Sequence, residues 1–263
     1  MTANGTRDRG SKRSDGEREP ESVPKEILAT LRSSVRLWVP FVIVGCLWTV
    51  LDRLRLRDPL PVRRPGSGST LQVVYTPYPT GAPRTVRTLD ALVDLPADVF
   101  VYALMVELVA VSAVAAASWL TMTWASDVSF SLHGSFVYFV GVGGLYLTER
   151  VGTAISLEYS PGSLLVGVTA LGIVVFIAVR TFFLPIALLL EPGILAAIRT
   201  SWSRSVSHGF ALSALIVTLG LGAGWLAELP AVGVLLSAAV VGPVHSVALV
   251  VLYERYSDSL VTS

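Results

Sequence analysis

Cysteine is almost absent from this chain: Cys46 is the single one among 263 residues. That excludes an intramolecular disulfide framework and a thiolate metal cluster. Lysine is nearly as scarce, 2 against 18 arginines, a bias that reads as overall composition rather than as a binding patch. Charge of either sign is low, at 15% of residues against about 25% in soluble domains. The net charge is only +1, so no overall field points to nucleic acid. No Walker loop, Rossmann fingerprint, nucleophile elbow or zincin motif occurs, which removes the common enzyme classes and gives no reason to expect a cofactor. His133, His208 and His245 lie on three separate segments with no thiol or carboxylate at ligand spacing, which argues against a metal site.

What the chain does have is apolar residues, 52% of the total, gathered into long uncharged runs. A transmembrane helix needs roughly 20 such residues to cross about 30 Å of hydrocarbon. Runs at 37–51, 99–126, 135–148, 161–179, 209–227 and 229–253 approach or meet that length. They predict an all-α polytopic membrane helix bundle of about six transmembrane helices. The first run holds only 15 uncharged residues, about 22 Å of helix, so Arg36 and Arg53 are expected to snorkel.

Around these runs, residues 1–24 mix both charges with Gly, Ser and Pro and read as a disordered polar tail. The membrane domain is expected over 25–263, with 52–97 as a long extramembrane loop. Within that loop "STLQVVYTP" and "PRTVRTL" are strand-like and separated by a Pro/Gly turn, which permits a small hairpin. The polar first 36 residues hold no apolar core of a cleavable signal. Six crossings put both termini on one side. Placing them in the cytoplasm gives twelve Lys and Arg inside against eight outside, so a multi-pass cell-membrane protein with cytoplasmic termini is expected.

The segment "RTFFLPIALLLEPGILAAIRTSWSRSVSHG", 180–209, needs separate treatment. Arg180 lies twenty residues beyond Ser160, about 30 Å of helix, which places it near the inner face. Central burial of Arg would cost at least ~2.5–3.5 kcal/mol, so the shallow position is preferred. Residues 181–190 span only about 15 Å and contain Pro185; they either continue a tilted helix or dip back into the interface. Glu191-Pro192-Gly193 then restarts a helix, 194–207. Ile194, Leu195, Ile198, Trp202 and Val206 share one side of it; Arg199, Thr200, Ser203, Arg204 and Ser207 occupy the other. Such a helix should lie in the headgroup layer, with Arg199, Trp202 and Arg204 as candidate headgroup contacts.

These residues also carry a family resemblance. Arg180, Glu191, Gly193, "AAIRTSWSRSVSHG" at 196–209 and "VLYERY" at 251–256 resemble a membrane domain found ahead of the catalytic barrel in some glycerophosphodiester phosphodiesterases. Stand-alone uncharacterised multi-pass proteins, including halophilic archaeal ones, share the pattern. The resemblance covers 160–256 and, more loosely, 25–51. It implies a six-helix membrane module. The 52–97 loop is longer than that pattern has, and no barrel follows, so phosphodiesterase activity is not expected here.

Three polar residues in apolar runs are candidate functional groups: Glu107, Arg180 and His245. Glu107 lies near mid-bilayer if 99–124 is embedded throughout. It lies near the outer boundary if 108–126 alone spans, which is the preferred reading. A depth difference of about 16 Å argues against a Glu107–Arg180 pair. His245 follows Pro243 and suits either a proton relay or, more simply, a hydrogen bond to a neighbouring helix. Gly141, Gly143, Gly144 and the Gly220/Gly224 pair mark places where helices can approach closely, within the chain or with a second copy. The reading that follows is a non-catalytic membrane protein with a structural, accessory or lipid-organising role, its expected partners the lipid bilayer and another membrane protein or a second copy of itself. A small-solute or lipid transporter is the alternative. An enzyme acting on headgroups through Arg180, Arg199 or Arg204 lacks a nucleophile.

Overall fold

The computed structural model describes residues 22–62, 75–87, 90–126, 131–154 and 164–261. The polar tail expected at 1–24 falls almost wholly outside them. The described chain is an all-α bundle: α1 (Val23–Ser33), α2 (Val39–Arg57), α3 (Ala97–Ala125), α4 (Leu132–Ala154), α5 (Leu164–Thr181), α6 (Leu184–Leu190), α7 (Ile194–Ser205), α8 (Gly209–Ala227) and α9 (Gly233–Val261). Five stretches are long and apolar enough to cross a bilayer: Val35–Arg57, Ala97–Ala125, Leu171–Leu190, Ile194–Ala227 and Gly233–Tyr256. This is a membrane protein.

The structure adjusts four expectations. The first crossing does not stop at residue 51: α2 runs on to Arg57, so Arg53, Arg55 and Arg57 belong to the helix and not to the loop. The third expected run is a helix, α4, which runs between the same two ends as its neighbours, from His133 beside Pro192 to Arg150 beside Glu107, but it is not among the five apolar stretches, because polar and glycine residues dilute it. Residues 181–190 complete the apolar stretch Leu171–Leu190, but as a broken helix and not as a plain continuation of α5. The chain turns at Phe182 and Phe183, and α6 is then covered by protein, with residues 184–189 all buried. A helix break at this depth is tolerable only because protein surrounds it. The expected hairpin is not seen in its described part either, since 75–87 is irregular apart from a bridge at Val86. The rest of it lies outside the described residues.

The helices run between two ends. At one end Thr121 on α3 reaches the carbonyl of Leu37 (3.4 Å), His133 on α4 approaches the carbonyl of Pro192 (3.2 Å), and α7 packs on α5 and α6. At the other end Arg55 of α2, Glu107 of α3 and Arg150 of α4 meet, and segment 75–87 docks; we call this the loop end. α9 is the central helix, with Val247, Ala248 and Leu249 fully buried. Its contact with α2 depends on glycine: a Cβ on Gly242 would lie 2.2 Å from the Phe41 ring, and one on Gly45 would lie 2.8 Å from the Leu235 carbonyl oxygen. α5, by contrast, packs chiefly on α7 and α8 and exposes Leu171, Ile173, Val174 and Ile177. In a bilayer those side chains face lipid.

Candidate functional site

The polar residues of the loop end come from four separate pieces of chain. Asp52, Arg55 and Asp58 lie in or just past the last turns of α2, where cations also complement the helix C-terminus. Glu107 projects from α3, Tyr146, Glu149 and Arg150 from α4, and Tyr78, Thr85 and Arg87 from the docked segment. Low burial of charge is the rule inside proteins, yet Arg55 is 3% exposed, Arg87 2% and Glu107 9%.

Pairing explains how these charges are held. Glu107 Oε1 lies 2.9 Å from Arg55 Nη2, and Glu107 Oε2 lies 3.1 Å from Arg150 Nη2. The Tyr146 hydroxyl donates to Glu107 Oε2 and accepts from Arg150 Nη2 at 2.6 Å, while the Arg150 guanidinium also sits 4.7 Å from the Tyr146 ring. Arg55 further donates to the Thr85 carbonyl (3.2 Å), and the Thr85 hydroxyl donates to Asp52 (2.5 Å). Arg150 donates to the Arg87 carbonyl (3.2 Å), and Arg87 pairs with Asp58. One carboxylate thus joins three helices, and two arginines tie the docked segment to them.

The segment is fixed at two further points. The Tyr78 hydroxyl donates to Glu149 (2.7 Å); burial first, and then the neighbouring Glu149 charge, push its pKa well above the ordinary tyrosine value. Gly81 lies against α9, where a Cβ would come within 2.3 Å of the Ala238 nitrogen, and the next amide, Ala82, donates to Ser237 Oγ at 2.8 Å. Between segment and bundle lies a cavity of about 30 Å³, lined by Trp48, Arg55 and Thr80 among others. Trp48 Nε1, Arg55 Nε and Thr80 Oγ1 are buried without a protein partner, and the space suffices for one or two waters to satisfy them.

The other candidates lie elsewhere. Arg180 is at the α7 end: its Nη1 approaches the Trp202 carbonyl and Ser205 Oγ (3.4 Å each), and its guanidinium faces the rings of Phe176 (5.0 Å) and Trp202 (5.3 Å). Arg204 caps the opposite side, donating to the Tyr253 carbonyl (3.1 Å) and lying 3.9 Å from that ring. Arg199 and Trp202 are exposed, as are Ile194, Leu195, Ile198 and Val206; the face of α7 turned inward carries Ala197, Ser201 and Ser205. His245 is buried with Nε2 unpartnered, its ring between Tyr75 and Phe182 at 5.6 Å each. Glu107, Arg180 and His245 therefore occupy three separate environments. Among the described residues no group of three or more His, Cys, Asp or Glu is placed to hold a metal ion.

Sequence reasoning missed Arg55, Arg87, Arg150 and Tyr146. For Arg55 the signal was its spacing of three from Asp52, which pairs charges on one helix face and lets a helix continue through them. For Arg150 it was depth: α4 returns toward the end at which α3 begins, and Glu107 lies in the first half of α3. Arg87 had no signal in its own stretch.

Compared with protein-family models, with curated proteins and with solved structures, the chain matches none.

Proposed function

We propose that this chain is a non-catalytic, multi-pass protein of the cell membrane with an accessory, lipid-organising role, both termini in the cytoplasm. The observation that carries this reading is the pairing of Glu107, whose Oε2 accepts from Arg150 and Tyr146 and whose Oε1 lies in ion-pair range of Arg55. A carboxylate working on substrate or conducting protons needs access to water or to a reacting group. This one is enclosed by its counter-ions and serves helix geometry instead. Its separation from His245 also speaks against a shared polar path at mid-depth. The exposed apolar face of α7, flanked by Arg199, supports contact with the headgroup layer.

Reconstitution tests the proposal. Purified protein in liposomes is expected to give solute flux no greater than protein-free liposomes and to leave phospholipids unhydrolysed. Flux that falls with Glu107→Ala, or lipid turnover by wild type, would contradict it.

A further inference from the structure

Arg180 is positioned by the protein but not neutralised by it. Among the described residues Arg55, Arg87 and Arg150 each have a carboxylate in ion-pair range, whereas Arg180 has none. Its Nη1 makes only two long contacts, 3.4 Å each, to the Trp202 carbonyl and Ser205 Oγ. Its Nε is buried without a partner. Its Nη2 also has no protein partner and, unlike Nε, reaches the surface. A guanidinium donates only, so Nη2 calls for an acceptor, and the uncompensated charge calls for an anion.

The group is held ready for such a contact. It lies against the Phe176 ring of α5 (5.0 Å) and the Trp202 ring of α7 (5.3 Å), and those two rings meet edge to face at 5.7 Å. Ser201 Oγ donates to the Arg180 carbonyl (2.7 Å), which pins the end of α5 to α7. A side chain already ordered in this way loses less freedom on binding.

An apolar strip leads away from the cation. Ile173, Phe176 and Ile177 stand seven, four and three residues before Arg180, so they share its face of α5, and all three are exposed. Seven residues make about 10 Å of helix, against ~15 Å for the hydrocarbon of one leaflet. Because Arg180 closes α5 at the α7 end, the strip runs from the boundary into the bilayer. An open donor at the boundary above an apolar strip has the polarity of a phospholipid, phosphate above and acyl chain below. Free phosphate would leave the strip uncovered. A zwitterionic lipid brings its own cation to the phosphate, whereas a net-anionic one is left to neutralise Arg180.

We propose that the α5–α7 junction binds one anionic phospholipid, its phosphate at Arg180 Nη2 and an acyl chain along Ile173, Phe176 and Ile177. The proposal deepens the lipid-organising reading and rests on it for the role of the bound lipid, not for its presence. Lipid turnover or solute flux would end that reading and leave the site standing. A wild type without bound lipid would end the site and leave the non-catalytic reading standing.

The test is native mass spectrometry of the full chain, extracted from vesicles of equal phosphatidylglycerol and phosphatidylcholine, with wild type beside Arg180→Gln and Arg36→Gln. Arg36 is exposed at the same end of the bundle, next to the Leu37 carbonyl that Thr121 reaches, so its loss removes the same charge without touching the site. Arg180→Gln keeps the bond from Ser201, which is made to the main chain. Wild type and Arg36→Gln are expected to retain one phosphatidylglycerol, about tenfold or more over phosphatidylcholine, and Arg180→Gln to lose that preference. The headgroup preference is read on wild type itself and so does not depend on how a variant folds. Equal retention of the two lipids by wild type would overturn the proposal, as would equal losses in the two variants. So would displacement of the lipid by inorganic phosphate, or a dimer of the chain that Arg180→Gln dissociates.

Discussion

The two ends of the bundle treat arginine differently. At the loop end Arg55, Arg87 and Arg150 are buried against carboxylates, on helices and on a docked segment far apart in sequence. At the α7 end Arg180 meets main-chain and hydroxyl oxygens and the faces of Phe176 and Trp202, and Arg204 lies over Tyr253. The first arrangement withdraws charge from water and depends on every partner being present. The second leaves charge at a boundary, where an aromatic face and nearby water share the work of solvating it. Burial, not residue type, decides which end tolerates change.

Removing Glu107 should break this contrast most severely. Glu107→Ala leaves two buried guanidiniums without their shared anion, and such losses cost about 3–5 kcal/mol. Thermal unfolding in detergent should show a large drop, whereas a shift no greater than that of the α7-end variants would equate the two ends. The docked segment comes next. Gly81→Val drives a side chain into the α9 backbone at Ala238, and overpacking of this kind costs about 3 kcal/mol at the upper end of its usual range. Limited proteolysis within 75–87 should then accelerate with the helices still intact.

Tyr78→Phe removes a hydrogen bond to Glu149, worth about 2 kcal/mol for a charged acceptor. It also carries a pH signature. The folded pKa of Tyr78 is raised, so its contribution is fully present below the unfolded tyrosine value of about 10 and is lost as pH climbs toward the folded one. Alkaline titration should therefore cost wild type more stability than Tyr78→Phe, and parallel curves would refute the contact. The smallest effect is expected from Arg180→Gln, about 0.5–1 kcal/mol, since partly exposed cation–π contacts are weak.

These expectations also mark what could be read from the sequence. The spacing of apolar residues along α7 identifies its exposed face, Leu195 and Val206 included, because helical period alone determines which side chains share a side. The limits of α8, Gly209–Ala227, coincide with an uncharged run for the same reason. By sequence the charges from Asp52 onward end the apolar run and put Arg55 in a loop, and only a partner on another helix makes its burial tolerable. Arg87 and Thr85 sit in a polar stretch with no period, so nothing local tells that the segment folds inward. The break at Phe182–Phe183 is similar: Pro185 signals an interruption, but only α4, α7 and α9 determine that the following turn is buried.

The central claim is that the helices cross a bilayer with the loop end and the α7 end on opposite sides. Single cysteines placed at Val93, Val174 and Arg199 in a Cys46→Ser background test it with a membrane-impermeant maleimide; all three positions are exposed on the protein. Position 93 should label from one side of sealed vesicles, position 199 from the other, and position 174, on the outer face of α5, from neither until detergent is added. Labelling of 174 in intact vesicles, or of 93 and 199 from the same side, would contradict the account.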